Sequence, residues 1–205
     1  MKKYIFMMAI LTFSFATYGN EENDELNPFI IPIEPKDLER FTNFLKYGDP
    51  SFPSHWNKGG VLASIGDMSL LKHYFDTLNN EEIESLFVAS AGSNNVEIMD
   101  FLLKRNVDVN TSDRDELTGL AAALLTNSQN TFALLVNAGA DLHFVPSKGI
   151  SNITSALTSY NYNEDAIYYL MKHKVRCDEY TGRALDSKMN AYSETLRVDL
   201  TEYCN

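Results

Sequence analysis

The stretch Leu102-Leu103-Lys104-Arg105-Asn106-Val107-Asp108-Val109-Asn110 returns 33 residues later as Leu135-Val136-Asn137-Ala138-Gly139-Ala140-Asp141-Leu142-His143. The same offset lays Ser85-Leu86-Phe87 over Thr118-Gly119-Leu120 and Met99 over Phe132. A third copy, Leu170-Met171-Lys172-His173-Lys174-Val175-Arg176-Cys177-Asp178, follows at an offset of 35. An earlier one, Ala63-Ser64-Ile65-Gly66-Asp67 with Leu70-Leu71, lies about 28 residues before its counterpart Ala91 to Asn94. Ahead of the copied stretch, Ile98, Met99, Leu102 and Leu103 recur as Phe132, Leu135 and Val136, then as Ile167, Leu170 and Met171. Spacings of three and four residues put each set on one helical face. A pair of helices of about ten residues cannot bury both its faces, so neighbouring pairs must stack. A period of 33 with two short apolar helices per unit therefore predicts an all-α solenoid.

Outward from this core the units differ in length. The short first spacing leaves no room for a full hairpin between the first two units. The two extra residues of the last unit fit best in its inter-helix turn, Tyr160-Asn161-Tyr162-Asn163. Upstream, Asn23 to Lys36 is acidic and carries Pro28, Pro32 and Pro35, an extended lead-in. A helix is predicted from Pro35 or Lys36 to Lys46, with Leu38, Phe41, Phe44 and Leu45 on one face, stopped by Gly48-Asp49-Pro50. Downstream, Arg183 to Leu200 reads as one capping helix.

These residues resemble the ankyrin repeat. Gly139-Ala140-Asp141 matches that family's Gly-Ala-Asp-Val-Asn signature, and Val107-Asp108-Val109-Asn110 matches it without the glycine. Ala121-Ala122-Ala123, Ala89-Ser90-Ala91 and Ala63 stand where the family places small residues in its first helix. The departures are Asn106 and Lys174 where the family ends the second helix with glycine, and Ser85-Leu86-Phe87-Val88 and Thr118-Gly119-Leu120-Ala121 in place of Thr-Pro-Leu-His. The resemblance implies an ankyrin-like stack of about four helix-pair repeats over residues 59–178, with short hairpin loops. Residues 20–58 then form the lead-in and an N-terminal capping helix, and residues 179–205 a C-terminal cap.

The N-terminus directs a different reading. Met1-Lys2-Lys3, an apolar run from Tyr4 to Phe15 and small residues in Ala16-Thr17-Tyr18-Gly19 form the tripartite pattern of a secretory signal peptide over residues 1–19. The run is shorter than the roughly 20 apolar residues a membrane span needs. Cleavage falls after Ala16 or Gly19, the latter preferred. The expected location is the periplasm or the exterior of a bacterium. The 205-residue chain carries a net charge of −11, and losing the two lysines of residues 1–19 takes this to −13. Such a balance argues against nucleic acid and anionic membranes as partners and favours a basic protein.

In an oxidising compartment the two cysteines, Cys177 and Cys204, read as a disulfide rather than as two buried thiols. It would close a loop near the C-terminus and contribute about 3 kcal/mol. No catalytic or metal pattern accompanies them. His55, His73, His143 and His173 make no H-E-x-x-H pair, Ser90-Ala91-Gly92-Ser93 is not a nucleophile elbow, and no phosphate-binding glycine loop occurs. Asp108, Asn110 and Ser112 occupy positions one, three and five of a calcium-loop pattern. Asp113 stands where that loop needs glycine, and Gly119 where it needs glutamate. No cofactor is expected.

What the resemblance implies is a protein-binding concave face lined by hairpin tips and the ends of the first helices. This assigns Ser112, Arg114, Asp115, Leu117, Leu125 and Thr126 in one repeat, and Ser147, Lys148, Ile150, Tyr160 and Tyr162 in the next. Aromatic and arginine side chains anchor interfaces most often, which singles out Arg114, Leu117, Tyr160 and Tyr162; the tyrosines could equally fill the gap left by the longer turn. The expected function is an exported, non-enzymatic binding module, with immunity against a secreted toxin as its sharper form. The alternatives are an envelope hydrolase using Asp113, Asp115, His143 and the tyrosines, and a purely structural envelope protein.

Overall fold

The computed structural model describes residues 35–48, 57–145, 150–159, 161–187 and 191–204. Within them the protein is all-α, with eleven α-helices and no strand. The signal-peptide reading lies outside the described residues. Helix α1 spans Pro35–Tyr47, its proline preset for the first helical turn. Phe41 and Leu45 are buried and Phe44 packs beside them, whereas Leu38 stays exposed. The predicted apolar face is thus one residue narrower than its spacing implied.

Pairs then follow one another. Helices α2 (Lys58–Ile65) and α3 (Met68–Tyr74) form the first, and α4 (Asn80–Gly92) and α5 (Val96–Lys104) the second. The third is α6 (Gly119–Leu125) with α7 (Gln129–Asn137), and the fourth α8 (Asn152–Thr158) with α9 (Glu164–Lys172). Inner helices α2, α4, α6 and α8 each pack on the next, and outer helix α5 packs on α7. A 3-10 turn, Phe75–Thr77, closes the first pair.

The C-terminal region corrects the expectation of one capping helix. Two helices form there, α10 (Thr181–Ser187) and α11 (Glu194–Cys204). Helix α10 packs on α8 and continues the inner row, so the chain ends in a fifth pair. The break has a local cause. Ser193 receives the Leu196 amide on its hydroxyl and gives its own N–H and O–H to the Glu164 carboxylate, so a new helix is capped where one was expected to run through.

Helix ends repeat more faithfully than helix lengths. Asn106, Gly139 and Lys174 all take positive φ, at 61°, 89° and 59°. After each, the next amide returns to a carbonyl five residues back, Val107 to Leu102, Ala140 to Leu135 and Val175 to Leu170, the Schellman arrangement. The shared turn explains why asparagine and lysine can stand at a glycine position. Lysine does so at a cost, since the left-handed conformation crowds its Cβ. Lys174→Gly is expected to raise stability by about 1 kcal/mol, read as a higher urea midpoint. No gain would mean that the turn is not left-handed in solution.

The first-helix ends repeat as well. Asn94 and Asn127 take φ of 56° and 54°, and the amides of Asn95 and Ser128 return to Ser90 and Ala123. Between the inner helices the side chains are small. Ala121, Ala122 and Ala123 are buried, and a Cβ on Gly119 would come within 2.6 Å of the Phe87 ring. Leu86, Phe87, Ile98, Met99, Leu102, Leu135, Ile153, Leu157, Ile167 and Leu170 are fully buried and form one continuous core.

The connections differ as the spacing required. Only Leu78 and Asn79 separate the 3-10 turn from α4. Asn79 and Glu82 close a reciprocal capping box, and α4 starts well before Ser85. Between α5 and α6 there is room for a loop with an antiparallel bridge, Ser112 to Thr118. The turn from α8 to α9 is two residues longer than that from α6 to α7, the position expected for the extra residues.

The fifth pair is fastened by several independent links. Cys177 and Cys204 form the disulfide. Tyr203 donates to the Val175 carbonyl, Tyr168 to Asp199, and the buried Tyr192 to the Leu157 carbonyl. Burial, then the neighbouring Tyr162, push the Tyr192 phenol up to about 12. Asp178 receives the amides of Ser151, Tyr180 and Thr181 and the hydroxyls of Thr154 and Thr181. Burial alone would push its carboxyl up, but these bonds outweigh burial and hold it below the ordinary aspartate value. Among the described residues no helix is long and apolar enough to cross a membrane.

Candidate partner-binding surface

The loop before α6 is built on Asp113. Its Oδ1 accepts the amides of Asp115 and Leu117, and the Asp113 amide donates to the Leu117 carbonyl. An aspartate that collects nearby backbone N–H groups makes a tight turn without a strand to support it. The turn thrusts Arg114 and Asp115 outward, both exposed, while Leu117 is half-buried. Thr118 then caps α6 by accepting the Ala121 amide.

The Asp113 carboxyl is half-buried, and burial raises its pKa above the usual 3.8 although the Leu117 and Asp115 amides oppose the shift. A raised folded-state value means the folded protein holds the proton more tightly than the unfolded chain. The resulting stabilisation is complete below the unfolded value and is lost as pH rises through the folded one. Asp113→Asn keeps the Oδ1 acceptor and removes the charge. It is expected to equal or exceed the parent in stability at neutral pH and to lose that advantage near pH 3, as followed by urea midpoints at several pH values. A variant weaker than the parent at neutral pH would contradict this account.

The other expected residues fall in three places. Leu125 and Thr126 lie at the far end of α6, about 10 Å from its start at 1.5 Å per residue. Leu125 is half-buried, and the Thr126 hydroxyl donates back to the Ala122 carbonyl. Ile150 is half-buried beside the α8 cap Ser151. Ser147, Lys148 and Tyr160 lie outside the described residues. Tyr162 is committed within the chain, its hydroxyl donating to the Ala191 carbonyl and its ring meeting Tyr192 edge-on at 4.6 Å. It fills the joint between the fourth and fifth pairs.

Two features escaped the sequence reading. Phe144 and Val145 are exposed in the loop after α7, 38% and 47% respectively. An apolar pair in a loop otherwise built for solvent was their only signal. The second feature is a cavity of about 260 Å³ at the turn edge between the third and fourth pairs. One joint earlier, that edge is laced shut. Asn94 Oδ1 accepts the amides of Asn130 and Thr131, while the hydroxyls of Ser128 and Thr131 donate to the carbonyls of Gly92 and Ala91.

At the next joint the equivalent Asn127 receives, among the described residues, only the Gln129 side-chain amide, at 3.4 Å. Helix α9 is instead capped by its own Asn163, which accepts the amides of Asp165 and Ala166. The cavity lies where this lacing stops.

Among the described residues no group of three or more His, Cys, Asp or Glu side chains converges as a metal site would. The Asp108 carboxylate accepts the Asn110 amide, and Asn110 in turn accepts the Asp141 amide of the following repeat. These oxygens of the calcium-like stretch serve the loop and the joint. The fold and surface together define an all-α protein of helix pairs stacked in chain order. No family model matches the chain, and no curated protein matches it.

Proposed function

We propose that the protein is an exported, non-enzymatic binding module of the ankyrin-like solenoid kind, which holds another protein by its exposed loops and first-helix ends. The observation that carries this reading is the contrast between a rigid stack and the turn set upon it. The buried alanines, Schellman ends and inter-repeat bonds fix the helices, while Asp113 fixes a tight turn that holds Arg114 and Asp115 out to solvent. Loops set on a rigid scaffold are where binding residues concentrate. The disulfide fits an oxidising compartment and thereby supports export.

The partner is a protein, favoured to be basic by the chain's charge of −11. In its sharper form the module is an immunity or inhibitor protein for a secreted toxin. An adjacent gene for a secreted phospholipase, nuclease or peptidoglycan hydrolase would support that form. Tyr160, outside the described residues, and Arg114 are the anchors of this reading, with Leu117 beside the latter. Affinity capture from a periplasmic extract is expected to recover one stoichiometric partner. Arg114→Ala is expected to weaken it by about 30-fold, the usual loss at an interface anchor. Recovery of no stoichiometric partner would overturn the binding role. A partner held at full strength by the Arg114 variant would overturn its placement on the loop.

A further inference from the structure

The cavity between the third and fourth helix pairs has a composition that selects its occupant. Leu124, Ala156 and Ala166 supply apolar surface, Phe132 and Tyr169 meet edge-on at 5.8 Å in its lining, and Asp165 is exposed at its margin. The Asp165 amide is used, bonded to Asn163, but its carboxylate has no cation or donor among the described residues. Among the described residues no Lys or Arg lines the cavity. About 260 Å³ is room for one long side chain and not for a helix or a strand. From this geometry we infer that the cavity receives a single basic side chain, arginine or lysine, projecting from a protein partner, with its stem along the apolar lining and its cation on Asp165.

Four considerations support that occupant over others. An arginine or lysine carries an apolar stem and a charged head, the same division of surface as the lining. Aromatic rings beside a carboxylate attract a guanidinium both by cation–π interaction and by a charge-assisted hydrogen bond. The N-terminus of α9 carries about half a positive charge and by itself would favour an anion, but the full carboxylate of Asp165 reverses that sign. An acidic side chain would face that carboxylate with no base among the described lining residues to offset it. The chain's charge of −11 points the same way, toward a basic partner.

This inference rests on the protein-binding reading above and moves part of the contact to the turn edge, away from the Arg114 loop. It can be tested without the partner. The purified, isotope-labelled protein is titrated with N-acetyl-arginine methylamide, and with the citrulline analogue as a neutral isostere, each to about 20 mM. The expected result is a saturable set of amide shifts at Asn127, Gln129, Asp165 and Ala166 with the arginine probe and none with citrulline. Asp165→Asn, whose carboxylate makes no hydrogen bond or ion pair among the described residues, is expected to weaken the response about tenfold. Gln129→Lys, which sets a resident ammonium at the rim, is expected to abolish it.

Equal shifts with citrulline, or undiminished shifts in both variants, would overturn the inference. So would shifts confined to the Arg114 loop, which would leave the binding role intact. Failure of the binding role is read separately, by affinity capture, and does not alter what the arginine titration reports.

Discussion

Replacing Gly59 with alanine is expected to lower the unfolding free energy by about 3 kcal/mol or more. The residue lies in the first turn of α2, where the first turn of α4 crosses it. A Cβ there would stand 1.7 Å from the Glu82 carbonyl oxygen and 2.7 Å from its carbon. Those are backbone atoms in the first turn of α4, so no side chain can swing aside to make room. The two helices must separate, and the neighbouring Leu62 and Leu86, both fully buried, lose contact with them. The adjacent glycine is the control. Among the described residues, a Cβ on Gly60 would meet only the Asn57 side-chain oxygen, at 3.7 Å. Gly60→Ala should therefore follow helix propensity alone and stabilise by roughly 1 kcal/mol. Urea unfolding followed by circular dichroism separates the two. Equal midpoints for the two variants would contradict the close crossing.

The second large effect concerns the disulfide. Opening Cys177–Cys204, which lie 27 residues apart, by reduction or by replacing both with alanine, is expected to cost about 3.5 kcal/mol in the chain-entropy description. The loss should not detach α11 outright. Leu196 and Leu200 remain fully buried, and Tyr203 and Tyr168 keep their bonds to Val175 and Asp199. The expected pattern is a lowered melting temperature, with amide exchange accelerated first in α10 and α11 and much less in α4 to α7. Unchanged melting under reduction would show that the tyrosines alone hold the end. Free thiols in the unreduced protein would remove the disulfide altogether.

Both effects depend on features of differing visibility in the sequence. The cysteine pair was legible because only two cysteines exist and they sit near one end. Gly59 was not, because the close approach comes from Glu82, and nothing local to either residue records the other. The 33-residue offset placed the second helices and their ends correctly, since Asn106, Gly139 and Lys174 mark a backbone conformation that the chain repeats. It did not reach the Asn79 and Glu82 cap that starts α4 ahead of Ser85. Reading Arg183 to Leu200 as one helix merged α10 and α11, whose boundary is set by Ser193 gripping Glu164 from another helix pair.

The candidate surface divides along the same line. Arg114 and Asp115 were readable as loop residues because Asp113 dictates its own turn from within the same segment. Tyr162 looked like an anchor because tyrosine often is one, yet its partners, Ala191 and Tyr192, come from a later pair. The cavity was half visible. Two additional residues in the turn from α8 to α9 announced that something changed there. What opened depends on which carbonyls and amides lose their partners across the joint, and a single segment does not encode that.

The fifth pair also gives the molecule a direction. A stack whose members touch only their neighbours comes apart from its ends, as a zipper does. Here one end has a stop. The last pair is sewn to the body by a covalent bond and several tyrosine hydroxyls. Helix α1, at the other end of the described residues, rests on the burial of Phe41 and Leu45 against α2. Heat, a protease or a mechanical pull should therefore peel the protein from its N-terminal side, with the stitched end last to yield.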